Sequence, residues 1–184
     1  GKKNVVIMGC SHTWGVGLEP HETWTHHVGQ HNTKLLRYWN LGQPGASADS
    51  IVRMLYSCEK VLFPKIIIVM WPGMARRERL DKFPQNLLGT HKTLKHENAN
   101  TDINNFLKGV FFVEKFAEKN GCKTFHCFSD LFYDFSSPGN SPPILAKYTL
   151  RNCWPYWDTF TQRQLHGPSV ARDGVHYGVE NHKR

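Results

Sequence analysis

The chain of 184 residues is long enough to bury a hydrophobic core, and its length predicts one domain over residues 1–184. Its composition, 40% hydrophobic and 21% charged, is typical of a globular protein and excludes a disordered one. No apolar run reaches the roughly 18 residues of a membrane span, and no signal peptide is visible, so neither a membrane partner nor secretion is expected. The net charge of +8 favours anionic partners, among them nucleic acid, although charge alone is a weak reason to expect nucleic-acid binding.

The first third of the chain alternates strand and helix patterns. Residues 4–9 form an apolar run that stops at Gly9, which predicts a strand entering a loop. Residues 23–31 are predicted to form a short helix. Residues 35–40 are predicted to form a second strand, which ends at a loop rich in glycine and proline.

The middle of the chain begins with a helix start signal. Ser47 is the predicted N-cap of a helix whose apolar residues recur at helical spacing. Residues 65–71 are apolar along their whole length, as in a central parallel strand covered on both faces. Residues 72–100 are polar, basic and punctuated by proline and glycine, which indicates an insertion or lid.

A helix over residues 101–120 and a fourth strand over residues 123–128 complete the regular pattern. Strands that alternate with helices favour a parallel sheet with helices on both faces. The fold class predicted is therefore α/β, with three layers in the order α/β/α.

Chemically useful residues follow the predicted strands. Ser11 follows the first strand, Gly45 the second and Gly73 the third, while Asp173 and His176 lie in the last loop. Open parallel sheets bind ligands beyond the carboxyl ends of their strands. These residues are therefore expected to meet at one edge of the sheet.

Three segments carry a family resemblance. Residues 9–18 (GCSHTWGVGL), 40–47 (NLGQPGAS) and 173–176 (DGVH) resemble, in order, the first, second and last sequence blocks of the SGNH (GDSL-like) serine esterases. The resemblance covers nearly the whole chain and implies the flavodoxin-like SGNH architecture. Within the family, the chain is similar to compact bacteriophage members. The resemblance implies a hydrolase that needs no cofactor, and because no signal peptide is visible the location expected is cytoplasmic or virus-associated.

The resemblance also implies a role for each matched residue. Ser11 would be the nucleophile, His176 the base that takes its proton, and Asp173 the carboxylate that orients the imidazole. The backbone N–H groups of Ser11 and Gly45 would bind the oxyanion of the tetrahedral intermediate.

The third block departs from the family pattern, which has an asparagine whose side chain donates to the oxyanion. The chain instead reads WPGMARRE over residues 71–78. A backbone N–H near Gly73 or the side chain of Arg76 could replace the asparagine as a donor to the oxyanion. Otherwise the oxyanion has two donors, the N–H groups of Ser11 and Gly45. Four residues are candidates for contact with substrate: His12, Trp71, Arg76 and Trp154.

These features predict an ester hydrolase that acts on short acyl esters, such as O-acetyl groups of a carbohydrate, through an acyl-enzyme. Three alternatives stay open: a weak or inactive SGNH-like binding module, an acyltransferase with the same residues, and a nucleic-acid-binding protein. His27 and His31 have the i, i+4 spacing of zinc ligands, but no third ligand is evident, so no metal site is predicted.

Overall fold

A computed structural model describes residues 1–74, 76–78, 99–128 and 169–183, without the side chains of residues 99, 100, 103 and 128. The elements in chain order are β1 (Lys3–Gly9), α1 (Ser11–Trp14), a 3₁₀ turn (Pro20–Glu22), α2 (Trp24–Gly29), β2 (Leu36–Asn40), α3 (Ala48–Leu62), β3 (Pro64–Trp71), α4 (Ala99–Asn120), β4 (Lys123–Phe128) and α5 (Val179–Lys183).

The four strands form one parallel sheet in the order β2-β1-β3-β4. The strand order reverses direction across β1, because β2 lies on one side of β1 and β3 on the other. Such a switch point opens a crevice at the carboxyl ends of the two strands. The loop that begins with Ser11 leaves β1 at this crevice.

Helices cover both faces of the sheet. On one face, alternate β1 residues Val6 and Met8 are fully buried in a core shared with Ile51 and Leu55 of α3 and Val113 of α4. On the other face, α2 and the α1 turn pack against β1 and β2. Because side chains alternate across a strand, one short apolar strand can serve both layers. The predicted α/β/α fold is confirmed.

The helix ends differ slightly from those predicted. The helix predicted over residues 23–31 is shorter, since α2 ends at Gly29 and Thr23 caps it by accepting the N–H of His26. The helix α4 begins earlier than predicted, at Ala99. The predicted N-cap at Ser47 is confirmed by a bond from the N–H of Ser50 (3.3 Å).

The start of the predicted lid is anchored to the helices. Arg53 of α3 donates hydrogen bonds from Nε and Nη2 to the Glu78 carboxylate, with Nε 3.0 Å from Oε1. Arg77 donates to Asp102 of α4 (2.6 Å). Residues 76–78 are therefore pinned on two helices, while most of the predicted lid (79–98) lies outside the described residues. No helix in the described part of the chain is long and apolar enough to cross a membrane.

Candidate active site

A tight turn carries Ser11 from the end of β1 into α1. A Cβ on Gly9 would lie 2.1 Å from the hydroxyl of Thr13 and 2.7 Å from the carbonyl oxygen of Met70, so only glycine fits there. Ser11 takes the first position of α1, where helix geometry provides no acceptor for its N–H. The turn thus places a nearly buried serine and its backbone N–H at the carboxyl edge of the sheet.

A narrow loop presents Asp173 and His176. Residues Val170 and Tyr177 pair as an antiparallel bridge, and the N–H of Ala171 donates to the carbonyl oxygen of His176 (2.8 Å). These bonds close the loop at its base. The acid and the base are therefore held on one short turn, as their separation of three residues predicts.

The Asp173 carboxylate is fully engaged by this turn. Its Oδ2 accepts a hydrogen bond from Nδ1 of His176, and its Oδ1 accepts the backbone N–H groups of His176 (3.0 Å) and Val175 (3.1 Å). The His176 backbone bond, with the His176 ring bond next, lowers the pKa of Asp173 from 3.8 to about 2. The carboxylate stays ionised near neutrality and fixes the tautomer in which Nε2 of His176 is free to accept a proton.

The residue after the candidate nucleophile touches the candidate base. The imidazole of His12 lies 5.4 Å, centroid to centroid, from that of His176, and 5.1 Å from the ring of Tyr177. The backbone carbonyl of His12 accepts the indole N–H of Trp24 (3.1 Å). The chain is folded so that the turn after β1 and the loop near the carboxyl end, more than 160 positions apart, meet at one place.

Three contacts hold the Asp173 loop against the first loop, and one of them is a hydrogen bond from the N–H of Arg172 to the carbonyl oxygen of Gly17 (3.1 Å). Gly17 has a φ of +78°, and a Cβ there would lie 2.9 Å from Cβ of Ala171 and 3.1 Å from Cγ of Asp173. Arg172 donates two hydrogen bonds to the Glu22 carboxylate, from Nη1 to Oε2 (2.6 Å) and from Nη2 to Oε1 (2.9 Å). The side-chain bond with Arg172 is the largest cause that lowers the pKa of Glu22, to about 2.

Asn40, at the end of β2, ties the second loop to α1. Its Nδ2 donates to the carbonyl oxygen of Thr13 (2.9 Å) and to the hydroxyl of Thr25 (3.0 Å), and its Oδ1 accepts the N–H of Gly42 (2.9 Å). Gly45 follows with a φ of +75°. Among the described residues its N–H has no acceptor.

The loop after β3 offers no side-chain donor in its first three positions. Pro72 and Gly73 have none, and the thioether of Met74 is buried in the core. Farther along, Arg77 is bound to Asp102, whereas the side chain of Arg76 makes no hydrogen bond or ion pair with the described residues. Arg76 therefore stays a candidate, together with the backbone near Gly73.

The structure contradicts the prediction that Trp71 contacts substrate. Its ring has no exposed surface, because it packs edge-on against Phe106 and parallel to His126. Its indole N–H donates to Nδ1 of His126 (2.9 Å), and Nε2 of His126 donates to Glu114 (2.6 Å). Trp71 is a core residue. The fourth candidate, Trp154, lies outside the described residues.

A cavity of about 450 Å³ lies between α2 and β2, and neither Ser11 nor His176 lines it. Its polar residues Thr23, Thr25 and Asn40 are already bonded to one another or to the backbone. It is therefore not the cleft of the Ser11 site. No cluster of three or more His, Cys, Asp or Glu able to hold a metal ion occurs within residues 1–74, 76–78, 99–128 and 169–183.

Sequence reasoning missed the residues that hold the two loops together. Gly17 and Glu22 entered the prediction only as part of, or next to, the first family segment, and neither the approach of Gly17 to Asp173 nor the pairing of Glu22 with Arg172 was predicted. The sequence signal for Gly17 was the G-x-G pattern that it forms with Gly15. No local pattern could pair Glu22 with Arg172, because 150 positions separate them.

No protein-family profile and no curated protein matches the sequence. Solved structures do match over nearly the full length. A lipolytic G-D-S-L family protein from Veillonella parvula superposes with a TM-score of 0.62 and 13% identity, over 98% of this chain and 92% of its own. The esterase EstA from Pseudoalteromonas gives 0.59 and 11%, over 97% and 90% of the two chains. The acetyl xylan esterase AlAXEase gives 0.55 and 15%, over 98% and 94%.

Proposed function

We propose that this chain, which shares the fold of lipolytic G-D-S-L proteins, is a serine-dependent hydrolase of short acyl esters. The observation that carries the proposal is the hydrogen bond between Asp173 and His176, in a loop that contacts the residue next to Ser11. The proteins of similar fold include two esterases, one of them an acetyl xylan esterase. An O-acetyl group on a carbohydrate is therefore the substrate class we favour.

The reaction follows from the roles of the three side chains. His176 takes the hydroxyl proton of Ser11 at Nε2 while the serine oxygen attacks the ester carbonyl. The N–H groups of Ser11 and Gly45 stabilise the oxyanion, and the backbone near Gly73 is the third candidate donor. His176 then gives its proton to the leaving alcohol, and water hydrolyses the acyl-enzyme by the same steps.

The test is hydrolysis of p-nitrophenyl esters of increasing acyl length. We expect the highest kcat/KM on acetate, and a loss of at least about 10³-fold in Ser11→Ala. The matched control is Ser57→Ala, an exposed serine on α3 whose hydroxyl bonds only its own helix. A fluorophosphonate probe should label the wild-type chain and Ser57→Ala but not Ser11→Ala. Equal rates or labelling in all three proteins would reject the proposal.

A second candidate function rests on the loop after β3. Because the buried Met74 provides no donor, the scaffold could instead serve as an acyl-glycan binding module. That function predicts binding of acetylated xylan oligosaccharides, measured by calorimetry, with no release of acetate. Acetate release that depends on Ser11 would exclude it.

A further inference from the structure

One end of the sheet carries an unusual concentration of positive charge. Eight of the fifteen Lys and Arg among the described residues lie where the strands begin and where α3 and α4 end, and all eight are exposed. We call this end the basal face; its cations are Lys2, Lys3, Lys34, Arg37, Lys60, Lys65, Lys119 and Lys123. The strands are parallel, so their amino ends share one edge, about 20 Å from the Ser11 edge.

Within the described part of the chain, the basal cations have no carboxylate partner. None of them forms an ion pair with another described residue, whereas five of the other seven described cations do. Of the described residues, the acids in the last two turns of α3 and α4 are Glu59, Glu114 and Glu118; Glu118 is bound to Lys115 and Glu114 to His126 (2.6 Å each). The helix dipole accounts for Lys60 and Lys119, which sit in the last turns of α3 and α4, but not for the other six.

Exposed apolar side chains are interleaved with these charges. Leu35 is 63% exposed, Val61 76% and Phe63 67%. Val61 and Phe63 lie between Lys60 and Lys65 in the chain. The two apolar segments flank the start of β1, because Lys3 donates its N–H to Leu35 (2.8 Å) and Asn4 donates to the carbonyl oxygen of Leu62.

We propose that the basal face docks on an anionic lipid surface, with Leu35, Val61 and Phe63 entering the headgroup region and the lysines contacting lipid phosphates and carboxylates. This departs from the expectation, drawn from the sequence, that no membrane is involved. A nucleic acid would be met by arginines and by several stacking rings, but seven of the eight cations are lysines. Phe63 is the one aromatic ring among the three exposed apolar side chains, and Leu35 and Val61 gain nothing from phosphate. Docking at this end leaves the Ser11 edge facing solvent.

The test is co-sedimentation with vesicles of phosphatidylcholine containing roughly one-third phosphatidylserine, compared with vesicles of phosphatidylcholine alone. The charge variant is Lys3→Gln/Lys65→Gln/Lys123→Gln. Its matched control, Arg76→Gln/Lys108→Gln/Lys183→Gln, removes the same charge from other surfaces. We expect partition to depend on phosphatidylserine, to fall at least about tenfold in the charge variant, and to change less than about threefold in the control.

The apolar variant is Val61→Ser/Phe63→Asn. Phe63 has a φ of +45°, which asparagine adopts more readily than phenylalanine, so this variant should keep its fold. We expect at least a threefold loss of partition, with circular dichroism unchanged. The proposal is overturned if anionic vesicles do not retain the protein, or if the control loses as much binding as the charge variant. It is also overturned if the apolar variant binds normally while a DNA duplex competes with the vesicles, which would indicate nucleic-acid binding. None of these outcomes depends on ester hydrolysis.

Discussion

The imidazole of His12 lies against the imidazole of His176, with the two planes inclined at 67°. Asp173 fixes the His176 ring at Nδ1, and His12 packs against the ring from the side of the nucleophile turn. A ring held at two places keeps its Nε2 in one direction, which is what proton transfer from Ser11 requires. We therefore expect His12 to position the His176 ring in the proposed reaction.

Replacing His12 separates packing from charge. His12→Ala removes the ring that packs on His176, and we expect kcat on p-nitrophenyl acetate to fall about 10- to 100-fold with KM nearly unchanged. His12→Phe restores a flat ring and should recover most of kcat. The measurement is steady-state kinetics of both variants. If Phe is as slow as Ala, the packing role is contradicted and a polar role of the imidazole takes its place.

Asp173 should not titrate in the working range. Its folded pKa of about 2 lies below the ordinary 3.8, so its ionised form stabilises the loop above about pH 4, and this contribution is lost as the pH falls toward 2. Asp173 should therefore add no ionisation of its own to the acid limb of kcat/KM above about pH 4. A slope of two above pH 4, in protein shown by circular dichroism to be folded, would contradict this. Asp173→Asn should lose on the order of 10⁴-fold in kcat without adding a second ionisation.

Gly17 is expected to matter through its contact with Asp173. Gly17→Ala imposes an unfavourable positive φ and places a Cβ 3.1 Å from Cγ of Asp173. Gly121→Ala is the matched control, since Gly121 has a φ of +61° and a Cβ there would meet nothing within 4 Å. Both substitutions should cost about 1–2 kcal/mol of unfolding free energy from backbone strain, and Gly17→Ala should cost more because its Cβ would also lie 2.9 Å from Cβ of Ala171. A fall in kcat of at least about tenfold should appear in Gly17→Ala only. Equal kcat in the two variants would remove Gly17 from the site.

The order of elements could be predicted because each depends on local pattern. The β1 run stops at Gly9, α3 starts at its Ser47 cap, and the four strands alternate with helices. The burial of Trp71 was also within reach of the sequence, since strand periodicity puts it on the same face as Ile67 and Val69, which are core residues. The pairs that hold the site in place, such as Gly17 with Asp173, depend on loops that meet only after folding, and no local pattern encodes that meeting.

His126 shows a further limit, because its sequence context is an ordinary strand while its side chain is 1% exposed and bonded at both nitrogens. His126→Phe keeps a ring of similar shape but leaves the N–H of Trp71 and the carboxylate of Glu114 without this partner. We expect a loss of about 2–4 kcal/mol of unfolding free energy in urea. His21→Phe, an exposed control, should change it by less than about 0.5 kcal/mol.

The double variant Trp71→Phe/His126→Phe distinguishes hydrogen bonding from packing at this position. Removing both partners of a buried hydrogen bond avoids the penalty of an orphaned donor, so the double variant should be less destabilised than the sum of the two single changes. The coupling is expected to be at least about 1 kcal/mol, measured by a double-mutant cycle in urea. Strict additivity would mean that the two rings, whose centroids lie 5.9 Å apart, stabilise the core by contact area alone. The hydrogen bond from Trp71 would then contribute nothing measurable to holding the end of β3, from which the Gly73 loop departs.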